Sequence, residues 1–332
     1  MEEEQVIALP ESIDMAENIT DKTIRIGTRG SKLALWQAET VAEKLQAAGF
    51  KTELVIISTK GDQVLDKSLA KIGSKGVFTE ELEVCLREGQ VEIAVHSAKD
   101  VQSTIPADLE LIAFMEREEV NDVLLSFDPN FKLERESKAI IGTSSTRRKA
   151  QLRKYYPNIT TAESRGNLQT RLRKLEEKQF DALMLAYAGV RRMGYEELIV
   201  HTFPADEFVP ATGQGSVAVE CAKNLDIELK KGLKQALNHT ETHVCLLAER
   251  AFLRTMEGGC SIPTFALASL SDEGLSITGG IISLDGAILL RETMQGPTVT
   301  AEEMGEELAN TILSQGGDEI LRSIRAERGE QV

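Results

Sequence analysis

The sequence has few cysteines, and their spacing argues against the two structures that cysteines most often build. Cys85, Cys221, Cys245 and Cys260 lie far apart, and no C-x-x-C pair occurs among them. We therefore expect neither a disulfide framework nor a cysteine-based zinc site, and a reducing cytoplasm is the simplest setting. Buried free cysteine usually behaves as a small hydrophobic residue, and we interpret Cys85, Cys221 and Cys245 in that way.

Long hydrophobic runs are also missing. No apolar run approaches the roughly 18 residues that a membrane helix needs, so no membrane partner is expected. Residues 1–20 contain six acidic and no basic side chains, which is the pattern of neither a signal peptide nor a transit peptide. We expect this segment to be a disordered acidic extension.

Positive charge is scarce overall but concentrated in one place. The net charge of −15 argues against general nucleic-acid binding, which needs a basic surface. Residues 141–175 nevertheless hold nine basic side chains and one acidic residue, Glu163, which gives this segment a charge of +8 and leaves −23 for the remainder. A basic island in an acidic chain indicates a specific anionic ligand.

The island begins with a strand, a small polar turn and a helix. Ala139-Ile140-Ile141 is typical of a strand, and Gly142-Thr143-Ser144-Ser145 leads into a helix that starts near Arg147 and Arg148. Free N–H groups at a helix N-terminus attract anions, and arginine adds a bidentate fork suited to carboxylate or phosphate. We assign Arg147 and Arg148 to a binding site. Four other cations are interpreted as solvated charges on helix faces: Arg153, Lys154, Arg173 and Lys174.

A similar pattern opens the chain. Thr23–Thr28 predicts a strand, Ser31 can cap a helix over Lys32–Ala48, and Glu53–Thr59 predicts the next strand of a βαβ unit. Ile26-Gly27-Thr28 resembles Ile141-Gly142-Thr143. We therefore expect two similar α/β halves, each directing a helix N-terminus at a shared cleft.

Two further segments of the first half are candidates for the site. Residues 60–76 are rich in Gly, Lys and Ser but lack Walker spacing, which indicates a mobile loop that could cover a site. His96-Ser97-Ala98-Lys99-Asp100 follows a strand predicted over Glu92–His96. Ligands of open α/β sheets bind beyond the carboxyl ends of strands, although a lone aspartate there is more often a cap.

The chain from Asn238 onward predicts a small α+β domain, with a helix over Thr240–Met256, strands through Gln295 and helices from Ala301. The loop 257–263 contains Gly258-Gly259 and exposes Cys260, for which a reactive thiol and a buried hydrophobe are equally supported. His239 and His243 could form a metal pair, but no third ligand is apparent, so a surface or core role is favoured and no metal is expected.

Many ordered blocks together resemble one family, porphobilinogen deaminase, over residues 23 to about 325. They are Thr28-Arg29-Gly30-Ser31 with 33–38, Leu69-Ala70-Lys71, Lys75-Gly76, His96-Ser97-Ala98-Lys99-Asp100, Gly142-Thr143-Ser144-Ser145 with Arg147-Arg148, Arg165-Gly166-Asn167 with Thr170-Arg171, Gly213-Gln214-Gly215, Ala248-Glu249-Arg250-Ala251 and Gly258-Gly259-Cys260.

The resemblance implies an α/β fold with two domains like the halves of type II periplasmic binding proteins, flanking a cleft, plus a small C-terminal α+β domain. We expect 21–117 with 215–236 to form the first domain, 118–214 the second and 237–332 the third, after the extension 1–20. A monomer in the cytoplasm is expected.

The resemblance also implies the activity: four porphobilinogen molecules are condensed head to tail with loss of ammonia, and hydroxymethylbilane is released by hydrolysis. The implied cofactor is dipyrromethane, thioether-linked to Cys260. Asp100 matches the catalytic carboxylate, which would stabilise the cationic azafulvene that forms when ammonia leaves. The residues implied to bind carboxylates of cofactor and substrate are Arg29, Ser31, Lys99, Thr143, Ser144, Ser145, Arg147, Arg148, Arg165, Gly166, Arg171 and Gln214, with Lys71 and Lys75 on the mobile loop.

Three positions depart from the family pattern: Gln102 replaces a common proline, 119–121 read Glu-Val-Asn, and Thr264-Phe265 replaces a smaller pair. The change at 119–121 can alter the hinge between the two halves, and the change at Thr264-Phe265 can alter the packing near the loop that carries Cys260. Two alternatives are compatible with parts of the sequence: a non-catalytic anion-binding or sensor protein on the same scaffold, and a nucleic-acid module. Cys260 with Asp100 argues against the first, and the net charge of −15 argues against the second.

Overall fold

The computed structural model describes residues 22–60, 79–258 and 262–327 of the chain. Several predictions fall outside the described residues: the acidic extension, most of the 60–76 loop with Lys71 and Lys75, and Cys260. Within the described ranges, no helix is both long and apolar enough to cross a membrane.

The first half is built on a five-stranded sheet with the order β2-β1-β3-β10-β4. Strand β10 runs antiparallel to both of its neighbours, while β1, β2 and β3 are parallel. The strands are β1 (Thr23–Thr28), β2 (Lys51–Ile56), β3 (Ile93–Ser97), β4 (Leu109–Phe114) and β10 (Val217–Ala222). Strand β10 lies between β3 and β4, so the chain after residue 216 contributes a strand to the sheet of the first half.

The second half repeats this arrangement with the order β7-β6-β8-β5-β9. Here β5 is the antiparallel strand that lies between its neighbours, as β10 does in the first sheet. The strands are β5 (Asp122–Leu125), β6 (Ile140–Gly142), β7 (Thr160–Ala162), β8 (Ala182–Ala186) and β9 (Ile199–Thr202). The similarity expected from two short sequence segments therefore extends to the whole topology of both halves.

The C-terminal unit is an antiparallel three-stranded sheet covered by helices, as predicted. Its strands are β11 (Thr264–Ser271), β12 (Gly274–Ile282) and β13 (Leu289–Gly296). The described helices of all three units are α1 (Lys32–Ala47), α2 (Glu80–Arg87), α3 (Thr146–Tyr155), α4 (Leu168–Glu176), α5 (Tyr187–Arg192), α6 (Ile227–Leu237), α7 (Thr240–Thr255), α8 (Ala301–Ile312) and α9 (Asp318–Glu327).

The helix starts follow from capping side chains that the sequence makes visible. Ser31 accepts from Ala34 N, Ser145 from Arg148 N and Asn167 from Thr170 N, and each side chain satisfies a donor that the first helical turn leaves free. The second strand begins at Lys51, two residues before the prediction, because Phe50 N donates to Leu45 O and turns the chain directly after α1.

Each unit has its own buried apolar cluster. In the first half, Ile24 on β1, Leu45 on α1 and Leu233 on α6 are fully buried together. In the C-terminal unit, Phe252 on α7 packs with Ile277 on β12. Complete burial of a side chain of this size stabilises the fold by about 1.5–3 kcal/mol, so these clusters hold the frame that positions the cleft.

The C-terminal unit also packs against the second half. Phe265 and Ile282 from its sheet contact Ala150 of α3 and Val209, and all four side chains are buried. The departure at Phe265 thus fills this junction. At the departure Gln102, Nε2 donates to Glu83 Oε1 at 2.9 Å, and at Asn121, Nδ2 donates to Phe203 O at 2.9 Å. Gln102, Asn121 and Phe265 each have a defined partner in the fold.

Candidate active site

The first site segment is a short turn that follows β3. Ala98–Asp100 forms a single turn of 3₁₀ helix directly after Ser97. Gly213 packs against this turn so closely that a Cβ there would lie 2.9 Å from the carbonyl carbon of Ala98, and its φ is +75°. Only glycine fits both conditions, and the contact fixes the turn that carries Lys99 and Asp100.

The Asp100 side chain faces a cavity of about 70 Å³ whose lining includes Arg29, Ser31, Gln37 and Ser97. The structure thus brings together three predicted site residues, Arg29, Ser31 and Asp100. Asp100 is exposed, and no described residue donates a hydrogen bond to its carboxylate, so a role as a helix cap receives no support. Ser31 combines its place in the cavity with the capping of α1.

Lys99 lies half-buried beside this carboxylate. Burial, together with repulsion from Arg148 and Arg147, lowers the pKa of Lys99 to about 8, while Asp100 and Asp122 oppose the shift. Apart from burial, the charges around this ammonium are two arginines that repel it and two aspartates that attract it. Such a place favours an anionic ligand.

The second site segment is the turn before α3. Ser145 caps that helix, and its N–H donates to Thr143 Oγ1 at 3.3 Å. Ser144 Oγ donates to Glu163 Oε2 at 2.7 Å and accepts from Ser164 N at 3.0 Å. The three hydroxyl side chains therefore hold the turn in shape, which leaves its carboxylate-binding role a prediction.

Arg147 and Arg148 are buried, with 4% and 7% exposure, and both contact Asp122. Arg147 Nη2 donates to Asp122 Oδ2 at 2.8 Å, and Arg148 Nη2 donates to Oδ1 at 2.7 Å. Arg147 Nη1 also donates to Val209 O, and Arg148 Nη1 to Met184 O. The main protein partner of Arg147 and Arg148 is thus the buried Asp122. Contact of either arginine with a ligand carboxylate stays a prediction.

Gln214 belongs to the same cluster. It is 1% exposed, and its Nε2 donates to Asp122 Oδ1 at 2.9 Å and to Val120 O at 2.7 Å. Burial by itself would raise the pKa of Asp122, but Arg147 and Arg148 with these hydrogen bonds hold it well below the usual range. Gln214 is thus a partner of Asp122, and its expected contact with cofactor or substrate stays a prediction.

The start of α4 carries the remaining predicted cations. Arg165 Nε donates to Glu163 Oε2 at 3.1 Å, and Arg171 Nε donates to the carbonyl of Gly166 at 2.8 Å. Burial lowers the pKa of Arg171 to about 10, with repulsion from Arg148 and Arg165 and opposing attraction from Asp100. Glu163, the one acidic residue of the island, pairs with Arg165, whereas Arg171 contacts a carbonyl. Glu163 thus balances only part of the positive charge of the island.

The described cysteines are poor candidates for covalent chemistry. Burial raises the pKa of Cys221 to about 12 and that of Cys245 to about 11, and it also raises the pKa of Cys85. Because the thiolate is the nucleophile, these shifts make the three thiols weaker nucleophiles at neutral pH than an exposed cysteine. The residues on either side of the Cys260 loop are Gly258, at the end of α7, and Ile262, before β11.

Glu249 and Asp122 are two buried carboxylates that sequence reasoning missed. Glu249 is fully buried and accepts from Arg117 Nη1 at 2.5 Å, Gly213 N at 2.8 Å and Ala268 N at 2.8 Å. Arg117 and Gly213 belong to the two segments that cross between the halves, and Ala268 belongs to β11. Glu249 thereby joins both crossing segments to the C-terminal sheet. Asp122, described above, is the second. Glu249 lies in the block Ala248-Glu249-Arg250-Ala251, but nothing in the sequence showed that either carboxylate would be buried.

The two histidines considered for a metal serve other purposes. His239 caps α7, with Nδ1 2.9 Å from Thr242 Oγ1, and His243 Nδ1 lies 2.9 Å from Asn238 Oδ1. Among the described residues, no group of three potential ligands is arranged to hold a metal ion.

The donor set fits a ligand with several carboxylates. Arg29 and Lys99 come from the first half and Arg165 and Arg171 from the second, and Arg148 repels both Lys99 and Arg171. A chain of pyrroles with acetate and propionate groups would supply the missing negative charge, since charge-assisted bonds to carboxylates are the strong ones.

Comparisons with known proteins give a consistent result. Residues 24–230 match the family model described as "Porphobilinogen deaminase, dipyromethane cofactor binding domain", and residues 243–314 match "Porphobilinogen deaminase, C-terminal domain". The chain is 54% identical over 305 residues to a porphobilinogen deaminase of Cytophaga hutchinsonii, covering 92% of this chain and 98% of that protein. It is 49% identical over 306 residues to one of Desulfosudis oleivorans, covering 92% and 99%.

Solved structures give weaker similarities. The VFT2 domain of Bordetella pertussis BvgS has a TM-score of 0.44 at 14% identity, covering 72% of this chain and 97% of that one. The methionine-binding protein MetQ has a TM-score of 0.41 at 14% identity, covering 67% and 92%. Scores below 0.5 indicate nothing about function.

Proposed function

This chain belongs to the porphobilinogen deaminase family, and from that membership we propose how its own residues divide the work of the reaction. The enzyme is a transferase of tetrapyrrole biosynthesis, also called hydroxymethylbilane synthase. It joins four porphobilinogen molecules stepwise, with loss of one ammonia each time, and hydrolysis then releases hydroxymethylbilane.

The cofactor is dipyrromethane, bound through a thioether. When bound, it supplies the pyrrole carbon to which the first substrate is joined. We propose Cys260 as the point of attachment, because its loop adjoins the glycine at the end of α7 and because burial raises the pKa of each of the three described thiols.

We propose Asp100 as the catalytic carboxylate, and its position is the single observation that carries this function. It lies exposed on a rigid turn, in one cavity with Arg29 and Ser31. A carboxylate placed there can stabilise the positive charge that develops on the substrate as ammonia leaves, and it can hold or return a proton at the pyrrole nitrogen. Intact mass, which reports the covalent adduct, together with porphobilinogen consumption tests the assignment.

Substrate and growing chain are held by cations from both halves. We propose that Arg29 and Lys99 bind carboxylates from the first half and that Arg165 and Arg171 bind them from the second, with the turn 143–145 and Gly166 shaping the surface between them. Each such bond is worth roughly 1.5–3 kcal/mol because one partner is charged. Lys71 and Lys75 are proposed to act from the 60–76 loop.

Removing either buried arginine should lower stability and activity far more than removing an exposed arginine. We expect Arg147→Ala and Arg148→Ala each to lower the free energy of unfolding by about 3–5 kcal/mol, because the substitution leaves Asp122 without one of its partners. Both should also impair cofactor assembly or chain elongation. Arg173→Ala, on an exposed position of α4, should change stability by about 0.5 kcal/mol or less.

Urea unfolding, adduct mass and porphobilinogen consumption measure these effects for the three variants. Equal losses at all three positions would show that the island acts only through its general positive field.

The pH dependence of substrate binding should report Lys99. Its pKa of about 8 means that the ammonium is present below this pH and is lost above it. We therefore expect the KM for porphobilinogen to rise as the pH increases through about 8. Lys99→Arg should flatten this rise, since guanidinium stays charged throughout. KM measured from pH 6.5 to 9.5 for both proteins checks this, and an identical alkaline rise in Lys99→Arg would assign it to another group.

We propose three domains divided at 117/118, 214/215 and 236/237, which is supported by the separate apolar cluster in each unit.

We also propose a cytoplasmic monomer. In the described ranges the exposed large hydrophobic residues are scattered over separate elements, for example Ile56, Phe127 and Ile227, as is usual for surfaces without a partner. Light scattering during gel filtration tests the oligomeric state.

A further inference from the structure

Asp122 stands where the chain enters the second half, and it is shared by three side chains. It is the first residue of β5 and is fully buried. Its Oδ2 accepts from Arg147, and its Oδ1 accepts from Arg148 Nε and Nη2 at 3.0 and 2.7 Å and from Gln214 Nε2 at 2.9 Å. One carboxylate thus binds two guanidinium groups, Arg147 through Oδ2 and Arg148 through Oδ1.

The same contacts join the anion site to the segments that cross between the halves. Arg147 and Arg148 begin α3, directly after the turn 143–145. Gln214 belongs to the returning segment, next to Gly213, whose close approach fixes the turn of Lys99 and Asp100. Asp122 therefore contacts the start of α3 in the second half directly. Through Gln214 it also contacts the segment whose Gly213 packs against the turn of Lys99 and Asp100 in the first half.

We propose that Asp122 is a positioning residue for substrate binding: it orients Arg147 and Arg148 and, through Gln214, keeps them in register with the turn that carries Lys99 and Asp100. This rests on the proposed function of the cleft and extends it, because Asp122 itself is enclosed and acts through its neighbours. A buried pair held by several hydrogen bonds has little rotamer freedom, so binding needs less ordering of the site.

Asp122 also sets the electrostatic balance around Lys99. The charged groups that face this ammonium are Asp100 on its own turn, Arg147 and Arg148 on α3, and Asp122 on β5. Loss of the Asp122 charge would leave two buried guanidinium groups repelling Lys99 with only Asp100 opposing them. The pKa of Lys99 would then fall below its value of about 8.

The test compares holoenzyme of Asp122→Asn with Asp108→Asn, a matched control at a surface carboxylate that pairs with Arg87 at 2.6 Å. We expect Asp122→Asn to raise the KM for porphobilinogen by about tenfold or more, the effect of losing one charge-assisted contact. Its alkaline rise in KM should move to lower pH by about one unit. Asp108→Asn should leave both properties unchanged.

A second readout does not depend on turnover. Competitive acetylation of Lys99 across pH, followed by peptide mass spectrometry, measures its titration directly. The midpoint in Asp122→Asn should lie below that of the wild type by a similar amount. If the wild type fails to consume porphobilinogen, the proposed function is wrong, whereas the acetylation midpoint still tests the effect of Asp122 on Lys99.

A purely structural role predicts a different outcome. Asp122→Asn would then lower the unfolding temperature and the active fraction but leave KM and the Lys99 midpoint of the folded molecules unchanged, and that result would overturn the proposal. If Asp122→Asn does not fold, Gln214→Leu removes one neutral donor and keeps both ion pairs. It should raise KM in the same direction by a smaller factor, and an unchanged KM would be equally decisive against the proposal.

Discussion

Asp100→Asn is expected to keep the fold and the covalent adduct and to lose about 10²–10⁴-fold in turnover, the usual contribution of a positioned acid or base. Carboxylate and amide have nearly the same shape, and Asp100 is the exposed residue of the turn Ala98–Asp100, so the turn should pack as before. The amide can neither balance the positive charge that forms as ammonia leaves nor exchange a proton. Interactions made only in the transition state lower kcat when they are removed.

The competing interpretation of Asp100 is a structural cap, and it makes the opposite prediction. Asparagine caps helices as well as aspartate does, so the substitution would then be nearly silent. A suitable control is Asp285→Asn, because Asp285 is an exposed turn residue that accepts from Ala287 N at 3.0 Å and lies in the β12–β13 turn. We expect this control to stay within about twofold of wild-type activity, consistent with a surface substitution.

The measurement begins with purified Asp100→Asn whose adduct has been verified by intact mass. Porphobilinogen consumption is then followed at saturating substrate, so that a loss in kcat is separated from a change in KM. Near-normal consumption by a protein that carries the adduct would remove Asp100 from the mechanism.

Cys260→Ser should have an equally large effect for a different reason. We expect a folded protein without the pyrrolic adduct and without activity, because a serine hydroxyl is a far weaker nucleophile than a thiolate. The substitution removes the proposed attachment point and leaves the cationic cleft unchanged.

The matched control is Cys85→Ser. Cys85 is half-buried, and its Sγ donates to Gln90 Oε1 at 3.3 Å, so serine should replace it with little loss. Intact mass and porphobilinogen consumption are measured for both variants. A fully active Cys260→Ser protein that carries no adduct would reject the assignment, and retention of the adduct by this variant would place the attachment elsewhere.

Some features of this protein follow from local sequence alone. The helix starts at Ser31, Ser145 and Asn167 depend on a side-chain oxygen and N–H groups within three residues, which is a short-range interaction. Strand β8 lies at Ala182–Ala186, and a short apolar run of this kind between polar segments is typical of a buried strand. The ordered motifs also indicated the family.

The roles of the basic residues could not be obtained in this way. The sequence placed Arg147 and Arg148 at a helix start, but their ion pairs reach Asp122, 25 and 26 residues away along the chain. Gln214 reaches the same carboxylate across 92 residues. The sequence shows that residues 141–175 are rich in basic side chains. It does not show which of these side chains form ion pairs with carboxylates of the protein.

The sequence by itself determined the elements, their caps, the repeated α/β pattern and the candidate cleft, since each depends on neighbouring residues or on a motif. The tertiary structure alone decided which charges are paired. Burying an ion is costly unless a partner and hydrogen bonds compensate, and those partners come from distant segments, as Arg117 and Ala268 do for Glu249. Only the folded chain brings these groups within hydrogen-bonding distance, and this contact decides whether an arginine supports the fold or is left for a ligand.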